Sequence, residues 1–328
     1  MPVRNDNLGR RRYRAKKRNP RHRCNPRGHW AHVSSRVRDG RYAFVPPDDD
    51  GLFVALMWGI IGRAQKRYGV QVAIAVVVSN HLHLLVRSDR PGAVSTFMQY
   101  TLSNLARLTN RTYGTSGPVF DGPFRMTTLL DREAEDFWFA YVMAHMTKEG
   151  IVSSPNLWIG LQCVDHLLNG TQPRGLWFDF DAWDNKGRPA DRKPFLRAVG
   201  VQLTPLTGWE RWPAERYRAF CQRVFDDIVA DHAEKQFVGL AAALAVPPTY
   251  VPPEVKRSRC PAFSAMGPGS LLRSRGTSRC TPPNARLGVA RARRYRLVSS
   301  CSRALIRAFG DAPRSTPLCA PGSWPTSC

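Results

Sequence analysis

From Val70 to Val86 the chain is apolar at nearly every position, interrupted by Ser79-Asn80 and by two histidines, His81 and His83. The run is rich in valine and isoleucine, whose β-branched side chains suit a pleated surface. Ser79 and Asn80 can each hydrogen-bond local backbone, which favours a turn. The expected structure is a β-hairpin with strands over 70–78 and 81–87. Alternate residues of a strand share a face, so His81 and His83 project together while Leu82 and Leu84 face a core. Two imidazoles on one strand face are well placed to hold a divalent metal. An HxH pair alone is more often incidental, and a metal site needs further ligands.

The flanking elements follow from periodicity. A first strand is expected over 29–37. Pro46-Pro47 closes the next loop, and Asp49 or Asp50 is the expected cap of a helix over 50–68. Leu52, Phe53, Leu56, Met57, Ile60 and Ile61 form its apolar face, and Gly69 stops it. Pro91-Gly92 opens a second helix over 92–112, with Asn104, Arg107, Asn110 and Arg111 on its polar face. Phe124–Leu130 reads as a fourth strand. Asp131, followed by Glu133, Glu135 and Asp136, starts a helix that runs through Tyr141 and His145 to a stop at Gly150. The order strand, helix, hairpin, helix, strand, helix predicts an α+β fold, one antiparallel sheet with helices packed on it. Residues 161–255 read as a helical and irregular extension, with helices near 213–234 and 235–245. Asp179 and Asp181 read there as surface charges, not metal ligands.

Charge divides the chain further. Residues 1–40 carry 13 Lys/Arg against 2 Asp/Glu and residues 256–328 carry 14 against 1, which leaves 22 of each sign for residues 41–255. Residues 1–27 form a basic arm with the composition of disorder. Its Arg10, Arg11, Arg12, Arg14, Lys16, Lys17 and Arg18 are dense enough to hold a phosphate backbone, the alternative being a solvated tail without a specific partner. Arg36, Arg107, Arg111 and Arg125 are further candidate DNA contacts. Residues 256–328 read as a basic low-complexity tail, either a DNA-binding segment or an out-of-frame remnant. Five of the eight cysteines lie at or beyond Cys260 and none forms a CxxC pair. Without a secretory signal, a disulfide framework is not expected. His22, Cys24, His29 and His32 cluster near the N-terminus, but their spacing fits no common zinc finger. No apolar run is long enough to span a bilayer, so no membrane partner is expected and the cytoplasm is the default location.

The chemistry emerges when two stretches are combined. Tyr141 and His145 are four apart and share a helix face. If that helix packs on the sheet, His81, His83 and His145 offer three imidazoles with open positions for a catalytic divalent ion. Such an ion polarises a phosphoryl oxygen, and Tyr141 can attack phosphorus. A free phenol, with a pKa of about 10, is a weak nucleophile, so positioning and charge must supply the rate. The phosphotyrosine formed would conserve the bond energy for rejoining without ATP. The competing readings are a buried aromatic for Tyr141 and a surface histidine for His145.

At these residues the chain resembles the single-tyrosine HUH transposases, especially the REP-associated tyrosine transposases. Asn80-His81-Leu82-His83-Leu84-Leu85 resembles their Asn-His-hydrophobic-His motif. Tyr141 to Val152 is similar to their tyrosine helix, and His32-Val33-Ser34-Ser35-Arg36 and Gly117-Pro118-Val119-Phe120 match in type and order. The resemblance covers roughly residues 27–160, and by it the catalytic domain spans 28–160. It implies a ferredoxin-like HUH fold, dependence on Mg2+ or Mn2+, and cleavage of single-stranded DNA near a hairpin. By it Tyr141 is the nucleophile and His81 and His83 are ligands, while His145 stands where relatives often carry an Asn or Gln that completes the site. Ser79 and Met146 stand where prolines are common, and Asp121-Gly122-Pro123 replaces a Gln-x-Arg type of stretch. Relatives include monomers and dimers, so a homodimer is compatible. The alternatives are a non-catalytic DNA-binding protein on the same fold, a replication initiator or relaxase, and an inactive pseudogene product. Initiators often carry a second tyrosine on this helix, whereas Tyr141 stands alone there.

Overall fold

The computed structural model describes residues 25–47, 51–252 and 263–266. The arm residues Arg10 to Arg18, the acids Asp49 and Asp50, His22, Cys24 and the cysteines from Cys260 onward lie outside them. The elements run β1 (Ala31–Arg36), α1 (Leu52–Tyr68), β2 (Gln71–Val78), β3 (His81–Arg87), α2 (Ala93–Thr112), β4 (Arg125–Leu129), α3 (Arg132–Met143) and α4 (His145–Lys148). The extension adds α5 (Val164–Asn169), β5 (Arg174–Phe178), α6 (Phe180–Asn185), β6 (Leu196–Gly200), α7 (Ala214–Asp231), α8 (Leu240–Leu244) and β7 (Phe263–Ser264).

The main sheet has the order β2-β3-β1-β4-β7, and its first four strands pair antiparallel. A β-α-β-β-α-β path through the order β2-β3-β1-β4 is the ferredoxin-like arrangement. The α+β expectation is therefore met. The register sets Arg36 opposite His81, Ser34 opposite His83 and His32 opposite Leu85. Residues directly opposite one another share a face, so β1 lays His32, Ser34 and Arg36 on the histidine face of β3. Leu82 and Leu84, on the other face, are wholly buried, as are Phe97 and Met98 of α2.

β2 is an edge strand, yet seven of its eight residues are buried. An apolar edge with unpaired backbone invites aggregation unless it is covered, and the extension covers it. Val77 N–H donates to the Leu161 carbonyl at 2.8 Å, and Thr204 N–H donates to the Val72 carbonyl at 2.8 Å. The Trp158 indole donates to the Val77 carbonyl at 2.9 Å, and Ala75 N–H meets the Cys163 sulfur at 3.3 Å. The extension also seats β5 on α1 through two glycines. A Cβ on Gly59 would lie 2.0 Å from the Leu176 carbonyl oxygen, and one on Gly175 would lie 2.2 Å from Gly59 N.

Local detail differs from expectation at several points. The cap position of α1 is Gly51, in left-handed backbone and without a side-chain bond; the expected caps Asp49 and Asp50 lie outside the described residues. The tyrosine helix is two helices, broken at Ala144 (φ −69°, ψ −8°), although no proline or glycine stands there. Residues 174–200 contain a two-stranded antiparallel sheet that the residue pattern did not announce. Within the basic tail, Phe263 and Ser264 pair parallel to Thr128 and Leu129. Asp131 does cap α3, its carboxylate accepting from Ala134 N–H at 2.8 Å, and Gly69 ends α1 in left-handed backbone. No helix among the described residues is long and apolar enough to cross a membrane.

Candidate active site

β3 presents His81 and His83, and the start of α4 lowers His145 onto them. Among the described residues these three form the only group of histidine, cysteine and acidic side chains placed to share a metal ion: one ligand atom from each lies within 4.8 Å of the others, and all three are buried. His81 Nε2 and His145 Nε2 stand 2.5 Å apart.

The orientation of His81 follows from its neighbour. The Asn80 amide nitrogen donates to the Gly40 carbonyl at 3.0 Å, which turns the amide oxygen toward His81 Nδ1, 2.6 Å away. An amide oxygen only accepts, so Nδ1 carries the proton and Nε2 keeps its lone pair for a metal. His83 Nδ1 is held by a fourth histidine, His32, whose Nε2 lies 2.7 Å away. His32 stacks on Trp138 of α3 at 4.2 Å between ring centroids. Sequence reasoning placed His32 in an N-terminal zinc cluster or a matching motif, not against His83. The signal was there in the even spacing of His32, Ser34 and Arg36, but only the β1–β3 register could connect it to His83.

Burial keeps these imidazoles neutral. It lowers His32 and His81 to about 3, Arg36 adding to the effect on His81. Burial also holds His83 and His145 well below the usual histidine value, reinforced by the neighbouring histidines His81 and His32 and by Lys148. A neutral imidazole is the ligating form. The two described cysteines, Cys163 and Cys221, are pushed up to about 12 by burial. They are inert thiols, not thiolates able to ligate or attack.

Tyr141 is half-buried beside this cluster. Its ring centroid lies 5.5 Å from that of His145, 5.9 Å from His83 and 6.0 Å from His32. Lys148 Nζ sits 4.0 Å from the centre of the Tyr141 ring. Glu149, not singled out from sequence, brings a carboxylate oxygen to 4.0 Å from His145 Nε2. Burial raises its pKa, opposed by Lys148, Lys235 and Arg36.

The remaining sequence-predicted residues divide. Arg36 lies at the site, opposite His81. Arg125 pairs with Ser34 on the neighbouring strand. Arg107 and Arg111, on α2, are not brought to the triad: Arg107 faces Asp181 at 3.9 Å and Arg111 bonds Asp184 at 3.2 Å. Asp179 caps α6 through Ala182 N–H at 3.0 Å.

No protein-family model matches the chain, and no curated protein matches it. Solved structures with distant likeness include the following. A REP-associated tyrosine transposase bound to a REP hairpin aligns with TM-score 0.34 and 11% identity over 58% of this chain and 95% of its own. A candidate transposase from Deinococcus radiodurans R1 aligns with TM-score 0.26 and 13% identity over 34% of this chain and 87% of its own. A tRNA(His) guanylyltransferase from Saccharomyces cerevisiae aligns with TM-score 0.28 and 13% identity over 37% of this chain and 60% of its own. Likeness at this level carries no weight for activity, which has to be argued from the site.

Proposed function

We propose that this chain is a metal-dependent single-stranded DNA transposase that cuts and rejoins its substrate through a phosphotyrosine at Tyr141. The observation that carries this reading is the placement of the Tyr141 ring within 6.0 Å of His145, His83 and His32. Catalytic domain 28–160, hairpin-forming DNA as substrate and phosphate contacts by Arg36 and the basic arm belong to the same proposal.

The residues fit a divalent ion. His81, His83 and His145 would hold it, with Asn80 and His32 fixing the orientation of His81 and His83. Three neutral nitrogens suit Mn2+ better than Mg2+, which prefers oxygen ligands. Bound there, the ion supplies Lewis-acid polarisation of a non-bridging phosphoryl oxygen. The Tyr141 phenolic oxygen forms a bond to phosphorus as the bond from phosphorus to the 3′ oxygen breaks. The phenol gives up its proton and the departing strand leaves as a 3′-hydroxyl. The Lys148 ammonium lies over the Tyr141 ring, a cation–π contact that holds the ring in place. Attack by a 3′-hydroxyl on the 5′-phosphotyrosine reverses the step and joins strands.

The test is cleavage of labelled single-stranded hairpin DNA in Mn2+, in Mg2+ and in EDTA. The proposal expects metal-dependent nicking, at least about 100-fold reduced in His81→Ala and His145→Ala, as for loss of a group central to the transition state. Equal nicking in EDTA contradicts it. DNA binding without nicking, across a broad panel of hairpins, favours a non-catalytic DNA-binding protein on the same fold.

A further inference from the structure

A second constellation of charge and aromatic rings lies away from the triad. A cavity of about 420 Å³ opens between α1, α2 and the β5–α6 segment of the extension. None of its lining residues belongs to β1, β3, α3 or α4, which carry the candidate active site. Its volume falls in the range that takes a small organic ligand, about 300–1,000 Å³.

The lining is specific in kind. Tyr100 of α2 and Trp177 of β5 form one wall, near parallel at 27° with centroids 6.1 Å apart. Arg63 lies over Trp177 at 4.5 Å and donates from Nε to the Tyr100 hydroxyl at 3.0 Å. Arg67 lies over Tyr100 at 5.6 Å. Neither Arg63 nor Arg67 has a carboxylate partner among the described residues, whereas Arg107, at the same cavity, faces Asp181. The Trp177 indole nitrogen is buried with no hydrogen-bond partner there. Two guanidinium groups are thus held by aromatic faces, without a carboxylate partner among the described residues, beside an open volume.

We propose that this cavity binds a nucleotide, the base against the Tyr100–Trp177 wall and the phosphate on Arg63 and Arg67. Planar guanidinium groups match phosphate oxygens in pairs, and aromatic side chains accept any base by stacking. Interleaved arginine and aromatic residues are the pattern by which proteins track single strands. The site is a seam: Arg63, Arg67 and Tyr100 come from helices of the sheet domain and Trp177 from the extension. The extension therefore adds a nucleotide site to the domain it covers.

The full chain is irradiated with a single-stranded oligonucleotide carrying 5-iodouracil, and the crosslinked peptides are mapped. The expected product joins the base to Tyr100 or Trp177. Arg63→Gln with Arg67→Gln should abolish that crosslink and reduce the salt slope of strand binding by about 0.7 per phosphate released. Tyr100→Phe keeps the ring and should keep the crosslink, which separates stacking from a folding defect. Tyr141→Phe should also keep it, so failure of the phosphotyrosine reading leaves this test intact. Competition by free deoxyadenylate assigns a free nucleotide as a ligand, and competition only by unlabelled strand assigns a nucleotide within a chain. Crosslinks confined to residues outside the cavity, or an unchanged crosslink in the double arginine variant, overturn the proposal.

Discussion

Asn80 is the residue on which the triad's geometry turns, because one amide both reads the Gly40 carbonyl and sets the tautomer of His81. Removing a partner of this kind lowers metal affinity about 10–100-fold in comparable sites. Asn80→Ala is therefore expected to weaken Mn2+ binding by that factor in a calorimetric titration, with folding retained. Unchanged affinity would show that His81 is oriented by packing alone. Protonation gives a second test. His32 and His81 are lowered to about 3 by burial, while the unfolded chain titrates near about 6.5. Between those values the unfolded state binds more protons, so stability of the metal-free chain falls as pH falls. Each such histidine contributes up to about 1.4 kcal/mol per pH unit in that window. Glu135, raised to about 7 by burial, works the opposite way, gaining stability as pH falls, as do Glu149 and Asp136, also raised by burial; they are three carboxylates against the four buried histidines of the site. Urea midpoints in EDTA should fall between neutral pH and the low end of that window, and a flat profile would contradict the buried-neutral assignment. His81, His83 and His145 were legible because alternation on a strand and four-residue spacing on a helix are local patterns. His32 was not, since a cross-strand register is set by tertiary pairing.

The helix that carries Tyr141 starts where its sequence says, at Asp131, and stops short of where it says. The Asp131 carboxylate also receives Met266 N–H at 2.9 Å, so one side chain ties the helix start to the end of the described chain. Loss of an aspartate cap costs about 1 kcal/mol, and Asp131→Ala should lower stability by about that amount or slightly more in chemical denaturation, with a change under about 0.3 kcal/mol counting against the cap. The break at Ala144 was illegible because no residue there disfavours helix. It falls beside His145, whose contact with His81 is long-range. Gly59 and Gly175 make the complementary point. Gly59 costs a helix about 1 kcal/mol relative to alanine, yet a Cβ there would strike the Leu176 carbonyl. Overpacking costs about 1–3 kcal/mol, so the clash outweighs the propensity and Gly59→Ala should be destabilising by thermal unfolding. A gain in stability would mean that α1 and β5 separate easily. The β5–β6 sheet itself escaped notice because its strands are five residues each, and β6 exposes much of its surface instead of alternating cleanly.

At the scale of the whole molecule, three histidines on one face of a ferredoxin-like sheet meet a fourth histidine and a tyrosine from α4 and α3, and an extension seals the sheet's apolar edge. Element order and type over residues 29–143 were readable because each element has its own period and stop signal. The extension was read only as aromatic and helical, since its role is to satisfy the backbone of β2 and to pack against α1, neither of which leaves a period in its own sequence. The excess positive charge lies in the two ends, and the central region, balanced in charge, holds the candidate chemistry. Under the proposed function, the ends bind phosphate without sequence preference and Tyr141 breaks the bond. The most direct test of the account is denaturing electrophoresis of the protein after incubation with Mn2+ and 5′-labelled and 3′-labelled hairpin DNA, followed by peptide mapping. The account predicts a covalent adduct retaining the 3′-labelled fragment, attached at Tyr141, absent in EDTA and absent in Tyr141→Phe. An adduct that persists in Tyr141→Phe, or maps to another residue, would contradict it.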